Sequence, residues 1–223
     1  MKKILYLFIL ISSTLYSQDL SKFHNSGNTS MSKKWVTSSW ESGTIVLSDG
    51  SEINGEVKGV YGGDQSKIVS FKFRKKKGED TKKYKAADCL LVSVKNVITL
   101  SLPKNLKKKS GKKSFYVALY FGEHLTVFEN PKASTANGQS TSLLGRSVGK
   151  STSFSQGGGR MLSYLALKDD EFSKLTAMNF RKQMKKLCAD NKKWLSRTSD
   201  KKWFKYGNLY TITHYYNQTK AKE

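Results

Sequence analysis

The chain has 223 residues, of which 37% are hydrophobic and 12% are aromatic, and this size and composition suit one folded domain. They exclude a collagen, a coiled coil and a wholly disordered chain. Forty Lys and Arg residues against 17 Asp and Glu residues give a net charge of +23, which favours anionic partners and does not specify a fold.

The first 17 residues have the pattern of a secretory signal peptide. Lys2 and Lys3 form a basic start, residues 4–11 are apolar, and a more polar stretch ends in the small residue Ser17. The apolar run is too short for a transmembrane helix, and no later stretch approaches about 20 apolar residues. We therefore expect an exported protein in the periplasm, at the outer membrane or outside the cell, with no transmembrane span after signal removal.

The first half of the mature chain has the pattern of an antiparallel sheet. Residues 18–34 are polar, which predicts a flexible lead-in before a single domain at 35–223. Asp49-Gly50 separates two β-prone stretches and is typical of a hairpin turn. Further β-prone stretches separated by polar turns lie at residues 67–74, 82–85, 90–102, 115–121 and 125–128. These patterns predict an antiparallel β-meander or a partly open barrel.

Residues 133–160 are rich in Ser and Gly, which predicts a long flexible loop. Within it, Gly145 and Gly149 begin a near match to a P-loop, but three residues separate them where the motif has four, so we expect no nucleotide partner. Strands resume at residues 161–167 and 172–175, on either side of an acidic turn at Asp169-Asp170.

The hydrophobic period then changes to that of a helix. Phe180, Met184, Leu187 and Cys188 recur at helical spacing, and Asn179 is placed to cap the start. Leu209, Ile212 and Tyr216 share a helical face, which favours a final helix, although the surrounding Thr and Tyr residues also suit a strand. The predicted fold is therefore α+β, an antiparallel sheet followed by C-terminal helices.

The two cysteines leave two alternatives open. Cys89 lies in an apolar run and Cys188 on the apolar face of the predicted helix, so both residues suit a buried position. In an exported protein they form either one disulfide across a long loop or two separate core thiols.

The residues capable of catalysis or metal binding form no functional pattern. His24, His124 and His214 lie far apart, with no partner at the spacing of a metal site. Asp169, Asp170 and Glu171 are adjacent, as in a turn, and no serine lies in a Gly-x-Ser-x-Gly motif. We therefore expect neither an enzyme nor a cofactor.

Several segments together resemble a known group of proteins. They are the export signal ending at Ser17-Gln18, the hairpin at residues 43–57, the segment from Asn179 to Met184 and the terminal Tyr215-Tyr216-Asn217. In these the chain resembles uncharacterised secreted proteins of Bacteroidota. The resemblance implies an exported β-rich domain with C-terminal helices and transfers no catalytic residue.

Lysines are concentrated in several clusters, and the loop at 104–113 projects between two predicted strands. Lysine acts as a point charge toward phosphate or sulfate, and only five of the 40 basic residues are arginine. The pattern fits either an anion-binding face or a merely basic surface. The candidate anion-binding residues are Lys104, Lys107, Lys108, Lys109, Lys112 and Lys113.

Two functions follow as hypotheses. The first is an exported, non-catalytic binding module for an anionic polymer or envelope surface, with lipopolysaccharide, acidic polysaccharide and nucleic acid as candidate ligands. The alternative is a structural or accessory subunit that binds another envelope protein through exposed tryptophans. Its candidate contacts are Trp35, Trp40, Trp194 and Trp203.

Overall fold

The structure is a computed structural model that describes residues 20–24, 39–62, 67–95, 97–105, 111–130 and 163–223. The predicted signal peptide, most of the predicted lead-in and the Ser- and Gly-rich segment at 133–160 lie outside the described residues. Within them, ten strands form one antiparallel sheet and three α-helices follow it, which confirms the predicted antiparallel sheet with C-terminal helices.

The elements are numbered in chain order. The strands are β1 Glu41–Leu47, β2 Glu52–Tyr61, β3 Ile68–Arg74, β4 Lys82–Tyr84, β5 Cys89–Val94, β6 Val97–Pro103, β7 Lys113–Tyr120, β8 Thr126–Glu129, β9 Tyr164–Lys168 and β10 Glu171–Leu175. The helices are α1 Phe180–Leu187, α2 Lys192–Arg197 and α3 Leu209–Lys220, and two short 3-10 turns lie at Ser21–Phe23 and Tyr206–Asn208.

Local backbone conformation explains the hairpins. Gly50 has a φ of 89° in the β1–β2 turn, which is the conformation that glycine adopts at least cost. Asp169 and Asp170 have φ values of 48° and 61° and connect β9 to β10, as their sequence indicated. The single β-prone stretch predicted at 90–102 is two strands instead, because Lys95 has a φ of 54° and reverses the chain.

The strand order shows that the sheet is strongly curled. The order is β10-β9-β8-β7-β6-β5-β1-β2-β3-β4, so β4 and β5 lie four steps apart. On a flat sheet four steps cover about 19 Å. Residues 85–88 alone connect the two strands, and they form a turn with an Asp88 N to Lys85 O hydrogen bond of 3.0 Å. The sheet must therefore bend until β4 approaches β5, although the described strands do not close it into a ring.

The bend brings β3 against β7 across an apolar interior. The rings of Phe71 on β3 and Phe115 on β7 meet edge to face with their centroids 4.9 Å apart. Ile45, Val57 and Val92 also belong to this interior, and all five side chains are buried. Hydrophobic burial therefore holds strands together that share no hydrogen bonds.

The helices cover the other end of the sheet. Phe180 and Met184 of α1 are fully buried against β-sheet residues such as Leu175, as the helical spacing predicted, and Leu187 is partly buried there. Asn179 precedes α1, but its side chain does not cap the helix. It accepts a hydrogen bond from Thr176 N at 2.7 Å, so it stabilises the preceding turn. None of the described helices has the length and apolarity needed to span a bilayer.

The cysteines are two separate core thiols, and no disulfide joins them. Cys89 is buried in the interior of the curled strands, whereas Cys188 is buried under the helices. Burial raises the pKa of Cys89 to about 12, with a further rise from Asp88 and an opposing effect of Lys113. Burial also raises the pKa of Cys188 far above its usual value.

We expect both thiols to be unreactive in the native protein. A chromogenic thiol reagent at pH 8 should label neither cysteine, because each is fully buried and protonated, and should label both after denaturation in guanidinium. Intact mass of the unreduced protein should include both thiol hydrogens. Loss of those hydrogens, restored by reduction, would show that a disulfide forms.

Candidate anion-binding site

Three segments that are distant in the chain line one cavity at the seam of the curled sheet. The cavity has a volume of about 460 Å³ and lies between the start of β3, the end of β4 with the link to β5, and the start of β7. Its lining includes five lysines, and we call the cavity the lysine groove. They are Lys67, Lys83, Lys85, Lys112 and Lys113.

The lysine groove has a strongly one-sided charge. No acidic side chain is among its lining residues, and none of its five lysines forms an ion pair with another described residue. The nearby carboxylate of Asp88 instead accepts a hydrogen bond from the backbone N of Lys85 at 2.7 Å. The groove is therefore a concave surface where positive charge is concentrated, which favours anionic ligands.

Strand pairing adds a second electrostatic feature. Lys72 on β3 lies directly opposite Lys83 on β4, and both residues are exposed. Like charges that face each other across two strands are destabilising. A bound anion beside Lys83 would relieve this repulsion.

A β-bulge shapes the wall of the groove. The β2–β3 register shifts between Val60 and Tyr61, and Val69 is the additional residue on β3. Val69 is 48% exposed beside the lysines, whereas the next residue, Ser70, is 1% exposed. The Ser70 hydroxyl has no hydrogen-bond partner within the described structure. Bulges often redirect side chains next to binding sites, and buried polar groups without a partner are rare.

The structure brings part of the predicted lysine site together. Lys112 and Lys113 line the groove, and the backbone N of Lys104 donates to Lys112 O at 2.8 Å at the base of the β6–β7 connection. Lys107, Lys108 and Lys109 lie outside the described residues. Sequence reasoning missed the contribution of Lys67, Lys83 and Lys85 to the same site, because only the curl of the sheet places β3 and β4 beside β7.

A second cavity of about 450 Å³ lies near the end of α3 and has charges of both signs. Lys168 Nζ lies 2.7 Å from Asp190 Oδ1, and the Tyr216 hydroxyl donates to the same carboxylate at 3.0 Å. Burial by itself raises the pKa of Asp190, but the hydrogen bonds from Lys168 and Tyr216 outweigh it and hold the pKa below its usual value. Four acidic residues and two lysines line this cavity, so its charge is negative on balance and it is a weaker candidate for an anionic ligand.

The histidines and acidic residues do not form a metal site in the described structure. His24 and His124 line the second cavity, and His214 lies on α3 with its Nδ1 3.1 Å from the Tyr120 hydroxyl. Among the described residues, no three His, Cys, Asp or Glu side chains are placed to share a metal ion.

The hypothesis of exposed tryptophan contacts is wrong for two of its residues. Trp194 is 0% exposed and Trp203 is 8% exposed, because both pack under the helices. Trp40 is partly buried, with the Arg74 guanidinium 4.3 Å from its ring centroid. Trp35 lies outside the described residues. Trp194 and Trp203 stabilise the core and are not available to a partner.

Comparison of the chain with protein family models, with curated proteins and with solved structures finds no match.

Proposed function

We propose that this protein is an exported, non-catalytic module that binds anionic polymers through the lysine groove. The observation that supports this proposal is the convergence of five lysines from three chain segments around one cavity without an acidic lining residue. The predicted signal peptide supports export to a compartment where lipopolysaccharide, acidic polysaccharide and extracellular nucleic acid are candidate ligands. Lysine ammonium groups bind the phosphates or sulfates of such polymers as point charges.

The basic surface of the helices provides an internal control. Lys185, Lys186 and Lys193 are exposed on α1 and α2 and do not line the groove. Within the described structure, none of the three forms an ion pair. Diffuse attraction to a basic protein would depend on both lysine sets, whereas a specific site would depend only on lysines that contact the ligand.

The test compares two triple variants of equal charge. Lys83, Lys85 and Lys112 are changed to Gln in the first, and Lys185, Lys186 and Lys193 are changed to Gln in the second. Binding to duplex DNA, heparin and lipopolysaccharide is measured over a salt series. On duplex DNA the groove triple should reduce the slope of log affinity against log salt by up to about 2.7, since each lost phosphate contact removes about 0.9.

The helix triple should change the slope by less than about 0.9, the value of a single contact. All six lysines are exposed, so both variants should keep the melting temperature of the parent protein. Equal effects of the two triples on all three polymers would contradict the proposal. A third variant with Lys107, Lys108 and Lys109 changed to Gln tests whether the predicted loop lysines contribute to the same binding.

A further inference from the structure

The lysine groove has an apolar floor below its cationic lining. Ile68, Ala86 and Phe115 line the cavity and are 6%, 7% and 4% exposed. Val69 adds an exposed branched side chain next to the lysines, placed there by the β-bulge. The sugar-phosphate backbone of a nucleic acid has only the small C–H surfaces of its sugars and no extended hydrocarbon chain to cover such a floor. The floor therefore favours a ligand in which an apolar part is joined to the anionic group.

Ser70 supplies an unused hydrogen-bond donor in the same wall. Ser70 is one of the residues that line the cavity, its side chain is almost fully buried, and its hydroxyl has no hydrogen-bond partner among the described residues. A buried hydroxyl without a partner destabilises the folded protein. A ligand oxygen in the groove would accept a hydrogen bond from Ser70, and that contact would compensate for the cost.

The positive charge of the lysine groove is larger in magnitude than the single negative charge of a phosphodiester. Five lysine side chains line a single cavity of about 460 Å³. A phosphodiester has one negative charge, whereas a phosphate monoester has a charge of about −1.5 to −2 at neutral pH. Charge matching therefore favours a phosphate monoester over the diester of an ordinary phospholipid.

We infer that the lysine groove takes a phosphate monoester joined to hydrocarbon, the chemistry found at the lipid end of lipopolysaccharide. This inference rests on the proposed anion-binding function and selects one of its three polymers. In the complex, the ammonium groups contact the phosphate, Ser70 Oγ donates to one of its oxygens, and the hydrocarbon lies against Val69 and Phe115. Acidic polysaccharide and nucleic acid have anionic oxygens for the first two contacts but no hydrocarbon chain for the third.

Small probes separate the anionic contribution from the apolar one. Isothermal titration calorimetry compares octyl phosphate, kept below its micelle concentration, with inorganic phosphate and neutral octyl glucoside. Octyl phosphate should bind at least about 10-fold more tightly than inorganic phosphate, because burial of two methylene groups is enough for that factor. Octyl glucoside should bind more weakly than octyl phosphate. Equal affinities for octyl phosphate and inorganic phosphate would overturn the inference.

Two single variants assign the contacts. Ser70→Ala should weaken octyl phosphate binding about 3- to 10-fold, and its melting temperature should stay the same or rise, because the variant removes an unpaired buried hydroxyl. Val69→Ser should weaken octyl phosphate binding and leave inorganic phosphate binding unchanged. Unchanged octyl phosphate affinity in both variants would show that neither residue contacts the ligand and would overturn the proposed binding mode.

The macromolecular test uses lipopolysaccharide, the same material after removal of its acyl chains, and phosphatidylglycerol vesicles. Deacylation should weaken binding at least about 10-fold, as in the small-probe series. Tighter binding to the vesicles would assign the groove to a membrane surface and overturn the choice of ligand.

If deacylation has no effect while binding still requires Lys83, Lys85 and Lys112, polymer binding stands and the lipid inference fails. If the groove triple also has no effect, both proposals fail.

Discussion

Replacing Asn217 with leucine is expected to lower the free energy of unfolding by about 3–5 kcal/mol, because one buried side chain serves four backbone groups. Its Oδ1 accepts hydrogen bonds from His124 N at 2.9 Å and Leu125 N at 3.1 Å. Its Nδ2 donates to Leu125 O at 2.9 Å and to Thr213 O at 3.0 Å. The three bonds to His124 and Leu125 attach α3 to the β7–β8 connection, so their loss leaves two backbone donors and one acceptor without partners. Urea denaturation measures the change.

Neighbouring positions provide the controls for this experiment. Gln218→Leu alters the next residue of α3, which is exposed, and should change stability by less than about 0.5 kcal/mol. Asn217→Asp retains the acceptor oxygen and loses both N–H donors, so its stability should lie between that of the parent protein and that of Asn217→Leu. If the carboxylate is held against the carbonyl oxygen of Leu125, its stability should fall below that of Asn217→Leu. If Asn217→Leu lowers the free energy of unfolding by less than about 1 kcal/mol, other groups must form hydrogen bonds with the backbone of the β7–β8 turn. The same packing explains Gly122, where a Cβ atom would collide with the Asn217 side chain.

Trp194→Ala is expected to lower the free energy of unfolding by at least about 3–5 kcal/mol. The side chain is fully buried and packs edge to face against Phe204 and Tyr216, with ring centroids 5.6 and 6.3 Å away. Its Nε1 also donates to Ile212 O at 3.2 Å, so alanine would leave a cavity and remove this hydrogen bond. Thermal and urea denaturation of the purified variant measure the loss.

Lys193→Ala is the matched control, because Lys193 precedes Trp194 on α2 and is exposed. Its effect should stay below about 0.5 kcal/mol. Trp194→Phe retains part of the apolar contact and should lie between the two. A stable Trp194→Ala protein that has lost a protein partner would revive the hypothesis of a tryptophan interface, which burial now contradicts.

The lysine groove shows why charge clusters in a sequence indicate a site only in part. The loop at 104–113 was recognisable because its lysines are adjacent in the chain, and Lys112 and Lys113 do line the groove. Lys67 is separated by four non-basic residues from Lys72, the basic residue nearest to it in the chain, and Lys83 and Lys85 belong to a different cluster. Their grouping depends on the four-residue link between β4 and β5, which bends the sheet. Sequence proximity is therefore a poor guide to an electrostatic site that is assembled across strands.

The cysteines and tryptophans illustrate the same limit for burial. Apolar neighbours indicated that Cys89 and Cys188 suit a core, but a pattern along the chain does not show whether two buried residues share one core. Trp194 lies in a segment dense in lysine, which suggested an exposed aromatic contact. In the fold, the lysines of α2 point to solvent while Trp194 packs inward, as one face of an amphipathic helix does.

The sequence by itself determined the features that depend on short-range geometry. Asp49-Gly50 and Asp169-Asp170 specify turns, and Gly50, Asp169 and Asp170 adopt positive φ there. Phe180 and Met184 lie four residues apart, so a helix places both side chains on the same face. Only the tertiary structure decided that Lys67, Lys83 and Lys112 share one cavity with the unpaired hydroxyl of Ser70. The physical reason is that these residues are brought together by the curl of the sheet, which arises from the burial of side chains such as Phe71 and Phe115 on strands that are not neighbours in the sheet.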